Sequence, residues 1–155
     1  MKTYKDLVAE SLQEIPEIFP WDLDEKLQNG EKPLIVDVRE KDEYDFCHIE
    51  GSLFVPRGIL EGACDWGYDD TIPELVQARD REVVVVCRSG NRSALAAHTM
   101  KIMGYNKVIS LKTGIRGWND AELPMVDKDG QPVDPDEAEE FLASKVAPEQ
   151  MGPQD

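Results

Sequence analysis

The chain has 155 residues, enough for one domain that buries a core without disulfides or metal ions. Its formal net charge of −15 and isoelectric point near 4.5 disfavour binding to nucleic acids and anionic membranes, which carry charge of the same sign. No apolar run is long enough to span a membrane, and the opening residues lack the apolar centre of a secretory signal. We therefore expect a soluble, cytoplasmic protein.

Three parts of the chain differ in composition. Residues 1–19 predict an N-terminal extension, because their apolar residues recur with the spacing of a helix and prolines follow. Residues 20–126, between the two terminal segments, are expected to form the main domain. Residues 127–155 predict an acidic tail that is partly mobile, since acids outnumber lysines there and prolines are interspersed. We expect its removal to leave the core intact.

Short apolar runs rich in β-branched residues predict the strands of a buried sheet, since they show no polar alternation. They lie at residues 34–38, 83–86 and 107–111, with a weaker run at 52–55. Helical or turn-rich stretches separate these runs. The order predicts an α/β fold with a parallel central sheet, helices on both faces and right-handed crossovers.

Cys87 ends the run of four valines and precedes an alanine-rich helix that Gly104 terminates. In open α/β sheets, sites lie at the carboxyl ends of the strands. The first turn of a helix has backbone N–H groups without partners, and these stabilise an anion. A thiolate is such an anion, and Arg88 and Arg92 favour it too. The sequence therefore predicts that Cys87 ionises more readily than an ordinary cysteine.

The loop after Cys87 argues against an inert cysteine. A cysteine behind an apolar strand is more often part of the core than a nucleophile. Residues 88–92, however, read RSGNR, which combines two arginines, a glycine and short polar side chains. This is the composition of a loop whose N–H groups converge on an anion. We therefore predict that Cys87 is the nucleophile.

The other two cysteines, Cys47 and Cys64, form no C-x-x-C pair, which argues against a disulfide framework and a structural zinc site. We expect at least one free thiol and no metal or other cofactor. Either cysteine could form a disulfide with Cys87 if it approached it, although buried or idle thiols are favoured. His98 would lie about 16 Å along the helix, too far to act as the base.

Four motifs in order resemble those of the rhodanese, or sulfurtransferase, homology domain over roughly residues 20–126. They are VDVRE at 36–40, HIEGS at 48–52, CRSGNRS at 87–93, and LKTGIRGW at 111–118 followed by LPM. Two positions depart from the usual pattern, Cys47 and Thr113, where a glycine is common in the family. Both affect local backbone shape and leave the nucleophile untouched.

The resemblance implies sulfur transfer through a persulfide on Cys87. A small anionic donor such as thiosulfate would supply the sulfur, and cyanide, a thiol or a protein acceptor would collect it. Substrate binding would fall to the loop: Arg88, Ser89, Gly90, Asn91, Arg92 and Ser93. Its C-x4-R spacing is one residue shorter than the C-x5-R of phosphatase relatives. A sulfur atom needs a smaller cradle than a phosphate, so the short loop favours sulfur transfer.

Several alternatives stay open at this point. Asp37 and Arg39 either support the loop or, as we favour, form a structural ion pair. Arg57 either adds a cation at the rim or is a solvated surface residue, and Trp66 either lines the pocket mouth or caps the core. The domain as a whole is alternatively a sulfur carrier or a noncatalytic module that binds a protein partner. A third hypothesis is phosphate hydrolysis or arsenate reduction by the Cys87 thiolate.

Overall fold

Five short strands form a single sheet at the centre of the computed structural model, which describes residues 1–153. The strands are β1 (Glu17–Ile18), β2 (Leu34–Asp37), β3 (Leu53–Phe54), β4 (Glu82–Val86) and β5 (Lys107–Leu111). The helices are α1 (Tyr4–Glu14), α2 (Pro20–Gln28), α3 (Lys41–Phe46), α4 (Leu60–Ala63), α5 (Pro73–Val76), α6 (Asn91–Ile102), α7 (Gly114–Asp120) and α8 (Pro135–Leu142), with 3₁₀ turns at Arg57–Ile59 and Pro148–Gln150.

The strand order is β1-β5-β4-β2-β3, and all neighbouring strands are parallel. β4 lies between β2 and β5, with Asp37 opposite Val86 and Val85 opposite Ser110. The carboxyl ends of these three strands therefore lie side by side at one end of the sheet. Cys87 follows β4 directly and lies at the middle of that end of the sheet.

The two faces of the sheet bury separate apolar clusters, because successive side chains of a strand point to opposite sides. Val83 and Val85 pack with Met100 of α6 on one face. Val84 and Val86 pack with Trp118 of α7 on the other face. The predicted α/β fold with a parallel sheet between layers of helices is confirmed.

Both terminal segments contribute to these clusters. In the N-terminal segment, Val8 and Ile15 are buried and β1 pairs with β5 at the sheet edge. In the C-terminal segment, Ala138 and Leu142 of α8 are almost fully buried. We therefore expect that removing α8 exposes part of the core, which corrects the expectation that removal of residues 127–155 leaves the core intact.

Within residues 1–153, no helix combines the length and the apolar character that crossing a bilayer requires.

Candidate active site

The sulfur of Cys87 caps the N-terminus of α6. Gly90, the N-cap residue, has a left-handed backbone with φ of 97° and no side chain that could accept a hydrogen bond. Cys87 Sγ takes that role, because it accepts hydrogen bonds from Gly90 N at 3.1 Å and Ser93 N at 3.2 Å. Two backbone dipoles thus point at the sulfur, an arrangement that stabilises negative charge on it.

A chain of hydroxyl groups continues from the sulfur into the sheet. Cys87 Sγ lies 3.3 Å from Ser93 Oγ, which lies 2.7 Å from Ser110 Oγ on β5. All three side chains are fully buried. Ser110 is not among the residues predicted from sequence, although a lone polar residue inside the apolar run KVISL is a usable signal.

The N-terminus of α7 holds the loop from the side opposite α6. Ile115 N donates to Cys87 O at 2.8 Å, and Arg116 N donates to Arg88 O at 2.9 Å. Gly114 precedes them with φ of 62°, and a Cβ there would come within 2.5 Å of Cys87 O. Only glycine permits this close approach, so the GIRGW segment fixes the position of Cys87.

The two loop arginines are already engaged by protein groups. Arg88 Nη1 donates to the backbone carbonyl of Leu142 at 2.9 Å, at the end of α8. Arg92 binds the carboxylate of Glu43 on α3 through two hydrogen bonds of 2.9 and 2.8 Å. The structure therefore ties both guanidinium groups to neighbouring helices, whereas the sequence predicts that both are free to bind an anion.

Glu43 is a negative charge at the site that sequence reasoning did not identify. Burial raises the pKa of its carboxyl, but the hydrogen bonds from Arg92 and from the Glu40 backbone outweigh burial and hold the pKa below its ordinary value. Glu43 is thus ionised at neutral pH. The Arg92–Glu43 pair has no net charge, so Arg88, which binds a neutral carbonyl, supplies the uncompensated positive charge of the loop.

The remaining loop residues differ in exposure. Ser89 is partly exposed, Gly90 is buried, and Asn91 is exposed as the first residue of α6. Among the loop amides, those of Gly90 and Ser93 donate to the sulfur. The side chains of Ser89 and Asn91 are therefore positioned at the surface of the loop, where a substrate can reach them.

Asp37 and Arg39 form a fully buried ion pair next to the loop. Arg39 Nε lies 2.9 Å from Asp37 Oδ1, and Arg39 Nη2 lies 2.8 Å from Asp37 Oδ2. Arg39 Nη2 also donates to the carbonyl of Cys47 at 2.6 Å. The pair therefore connects the end of β2 to the end of α3, the element that carries Glu43.

Arg57 contacts a residue far along α6, and Trp66 lies at the surface. The Arg57 guanidinium contacts Glu61 at 2.9 Å and Thr99 at 3.4 Å. Thr99 is two turns along α6, about 12 Å from its first residue. Trp66 is 55% exposed and so does not cap the core.

The other two cysteines differ from Cys87 in their surroundings. Cys47 and Cys64 are fully buried, and burial raises the pKa of both thiols despite nearby hydrogen-bonding groups. Both therefore remain protonated and unreactive at neutral pH. Within residues 1–153, no group of three or more His, Cys, Asp or Glu side chains is arranged to hold a metal ion.

Comparisons with known proteins place the loop in a family. The family described as "Rhodanese-like domain" matches residues 20–121. The chain is 36% identical over 110 residues to the "Putative sulfur carrier protein YrkF" of Bacillus subtilis, and the match covers 71% of this chain and 54% of that protein. It is 32% identical over 101 residues to the "Probable adenylyltransferase/sulfurtransferase MoeZ" of Mycobacterium tuberculosis, with 65% of this chain and 24% of that protein covered. The chain thus spans about half or less of these relatives.

A solved structure from Rhodopseudomonas palustris has the same fold. It is described as a protein of unknown function, RPA3614, and "Possible Tyrosine Phosphatase". Its TM-score is 0.75 at 30% sequence identity, and the match covers 81% of this chain and 95% of that one.

Proposed function

Because the chain belongs to the rhodanese-like domain family, we propose that it is a sulfurtransferase that carries sulfane sulfur as a persulfide on Cys87. The observation that carries this proposal is the convergence of the Gly90 and Ser93 amides on Cys87 Sγ, at 3.1 and 3.2 Å. These donors stabilise the thiolate before transfer and are next to the persulfide after it. Relatives named as a sulfur carrier and a sulfurtransferase support the same chemistry.

The first half-reaction loads the sulfur. The Cys87 thiolate attacks the outer sulfur of thiosulfate and forms a new S–S bond. The S–S bond of the donor breaks, and its electron pair leaves with sulfite. The product is the persulfide Cys87–S–S⁻, whose negative charge lies near the N-terminus of α6.

The second half-reaction unloads it. Cyanide or a thiolate attacks the outer sulfur of the persulfide, and the Cys87 thiolate leaves with the electrons of the broken S–S bond. Thiocyanate or a new persulfide is released, and the enzyme returns to its starting state. Two separate half-reactions predict ping-pong kinetics.

A carrier that serves one protein partner is the second candidate. The observation that favours it is the name of the Bacillus subtilis relative. A carrier loads sulfur once and turns over slowly with small acceptors, whereas a transferase turns over with thiosulfate and cyanide. The ratio of thiocyanate formed to protein present distinguishes the two functions.

The description of the Rhodopseudomonas structure raises phosphatase activity as an alternative. Two features of this chain oppose it. The C-x4-R loop from Cys87 to Arg92 is short for a phosphate, and both terminal nitrogens of Arg92 bind Glu43. Phosphoryl transfer would need those two nitrogens to hold the phosphate oxygens, whereas the sulfur of Cys87 is held by the Gly90 and Ser93 amides.

Turnover with thiosulfate and cyanide tests the proposal. Wild type should form many equivalents of thiocyanate, and Cys87→Ser should form none. Cys47→Ser is the matched control, since burial keeps the Cys47 thiol protonated, and it should retain activity. Hydrolysis of an aryl phosphate by wild type, without thiocyanate formation, would overturn the proposal.

A further inference from the structure

Helix α1 runs parallel to α6 and begins level with the active-site loop. Ser11 Oγ lies 3.3 Å from His98 Nδ1, and Lys101 Nζ donates to Glu14 O at 2.6 Å. Both contacts join residues 87 positions apart. The two helices therefore run in the same direction, and each residue of α1 lies level with the residue 87 positions later in α6. Because both helices have the same rise per residue, the same offset puts Tyr4 beside Asn91.

The side chain of Tyr4 points to the same side of α1 as the residues that pack on the core. Val8, Ser11 and Ile15 are each less than a tenth exposed, and Tyr4 precedes them at the spacing of one helical stripe. Tyr4 itself is 51% exposed. This difference has a simple cause: α6 begins at Asn91, so the Tyr4 ring lies beside the loop and not against a helix.

The electrostatic environment of the phenol agrees with that position. Burial raises the pKa of Tyr4, the negative charge of Cys87 raises it further, and the positive charges of Arg92 and Arg88 lower it. The net direction is upward, so the hydroxyl stays protonated at neutral pH. It can therefore donate a hydrogen bond near the sulfur and both loop arginines.

We propose that Tyr4 is a substrate-binding residue of this site, whose hydroxyl donates a hydrogen bond to a sulfonate oxygen of a thiosulfate-type donor. The inference rests on the proposed sulfurtransferase function and specifies its donor class. A further hydrogen-bond donor would strengthen sulfonate binding, because Arg92 is paired with Glu43 and Arg88 already donates to the carbonyl of Leu142. Tyr4 lies outside residues 20–121, so it is a contribution that this chain adds to the family domain.

Tyr4→Phe tests the proposal, because it removes the hydroxyl and keeps the ring. Two sulfur donors are compared, thiosulfate and the persulfide of 2-mercaptoethanol, which has no sulfonate. We expect kcat/KM for thiosulfate to fall about 5- to 20-fold, the effect of losing one hydrogen bond to a charged group at a half-exposed position. For the alkyl persulfide we expect a change of less than about twofold, since it makes no such bond.

Tyr68→Phe is the matched control, because Tyr68 is exposed on a loop and makes none of the contacts described above for the site. It should behave as wild type with both donors. Unfolding temperatures of the variants are compared as well, so that a loss of stability is recognised.

Two results would overturn the role of the Tyr4 hydroxyl while leaving the proposed function in place. These are unchanged kinetics in Tyr4→Phe and an equal loss with both donors. If Tyr4→Phe is unchanged, a loss in Tyr4→Ala would show that the ring acts as a steric cover only. If wild type acquires sulfur from neither donor, the proposed function itself fails, and the role of Tyr4 fails with it.

Discussion

Arg92 and Glu43, 49 residues apart in the chain, are joined by two hydrogen bonds at the edge of the active-site loop. The Glu43 carboxylate compensates the charge of Arg92 in the first turn of α6. Arg92 precedes Ser93, whose backbone N–H donates to Cys87 Sγ. The site therefore attracts anionic donors less strongly than its two arginines alone would predict. The overall negative charge of the chain acts in the same direction.

The affinity for thiosulfate should follow this charge balance. Glu43→Gln should lower KM about twofold to fivefold, because it leaves Arg92 without a compensating charge. Arg92→Ala should raise KM by a similar factor, since it leaves the carboxylate unpaired near the sulfur. The double variant should return close to wild type. Steady-state kinetics on the four proteins measure this coupling, and a KM that rises in Glu43→Gln would refute it.

The same pair predicts a pH dependence of stability. The pKa of Glu43 is lower in the folded protein than in the unfolded chain, so its contribution is complete above the unfolded value, about 4.3. That contribution is lost as the pH falls through the lower, folded value. Wild type should exceed Glu43→Gln by about 1 kcal/mol at pH 7, and the difference should vanish near pH 2. Urea unfolding at several pH values measures it, and a constant difference would contradict the assignment.

Gly114→Ala should displace Cys87 while leaving its side chain unchanged. The new Cβ would meet backbone atoms of Cys87 and Arg88 at 2.5 to 2.6 Å, and the left-handed φ adds strain. We expect kcat/KM to fall at least about tenfold and stability to fall by about 1 to 3 kcal/mol. Gly58→Ala is the control, because nothing lies within 4 Å of its added Cβ and its φ is ordinary. Equal activity of the two variants would show that the α7 contact is unimportant.

Leu142→Ala should destabilise the domain, because Leu142 is 1% exposed at the end of α8. The expected loss is about 2 to 4 kcal/mol in the free energy of unfolding. Val146→Ala, at a side chain that is 58% exposed, should lose little. Denaturant unfolding compares them. If both variants are as stable as wild type, α8 is not part of the core.

Much of the fold could be predicted from local sequence. The valine run of β4 and the apolar runs of β2 and β5 are buried on both faces of the sheet, so each strand is recognisable without its neighbours. β1 was not predicted, because two residues carry no periodicity and their pairing with β5 is set by tertiary structure. α8 was predicted only as tail, since its acidic surface outweighs the few buried residues in composition.

The site likewise has a part that local sequence predicts and a part that depends on tertiary structure. Cys87, Gly90 and Ser93 lie within seven consecutive residues, from the end of a strand to the first turn of α6, and local spacing was enough to predict that they lie together. Glu43 and Leu142 reach the loop from 49 and 54 residues away. Contacts at that separation depend on how helices pack, and no local pattern records them.

Intact-protein mass spectrometry after mixing with thiosulfate tests most directly whether Cys87 carries sulfur. We predict one added sulfur, about 32 Da, that maps to the peptide containing Cys87, is absent from Cys87→Ser, and is removed by cyanide. An unmodified wild-type mass, or a sulfur that maps to Cys47 or Cys64, would show that Cys87 is not the sulfur carrier.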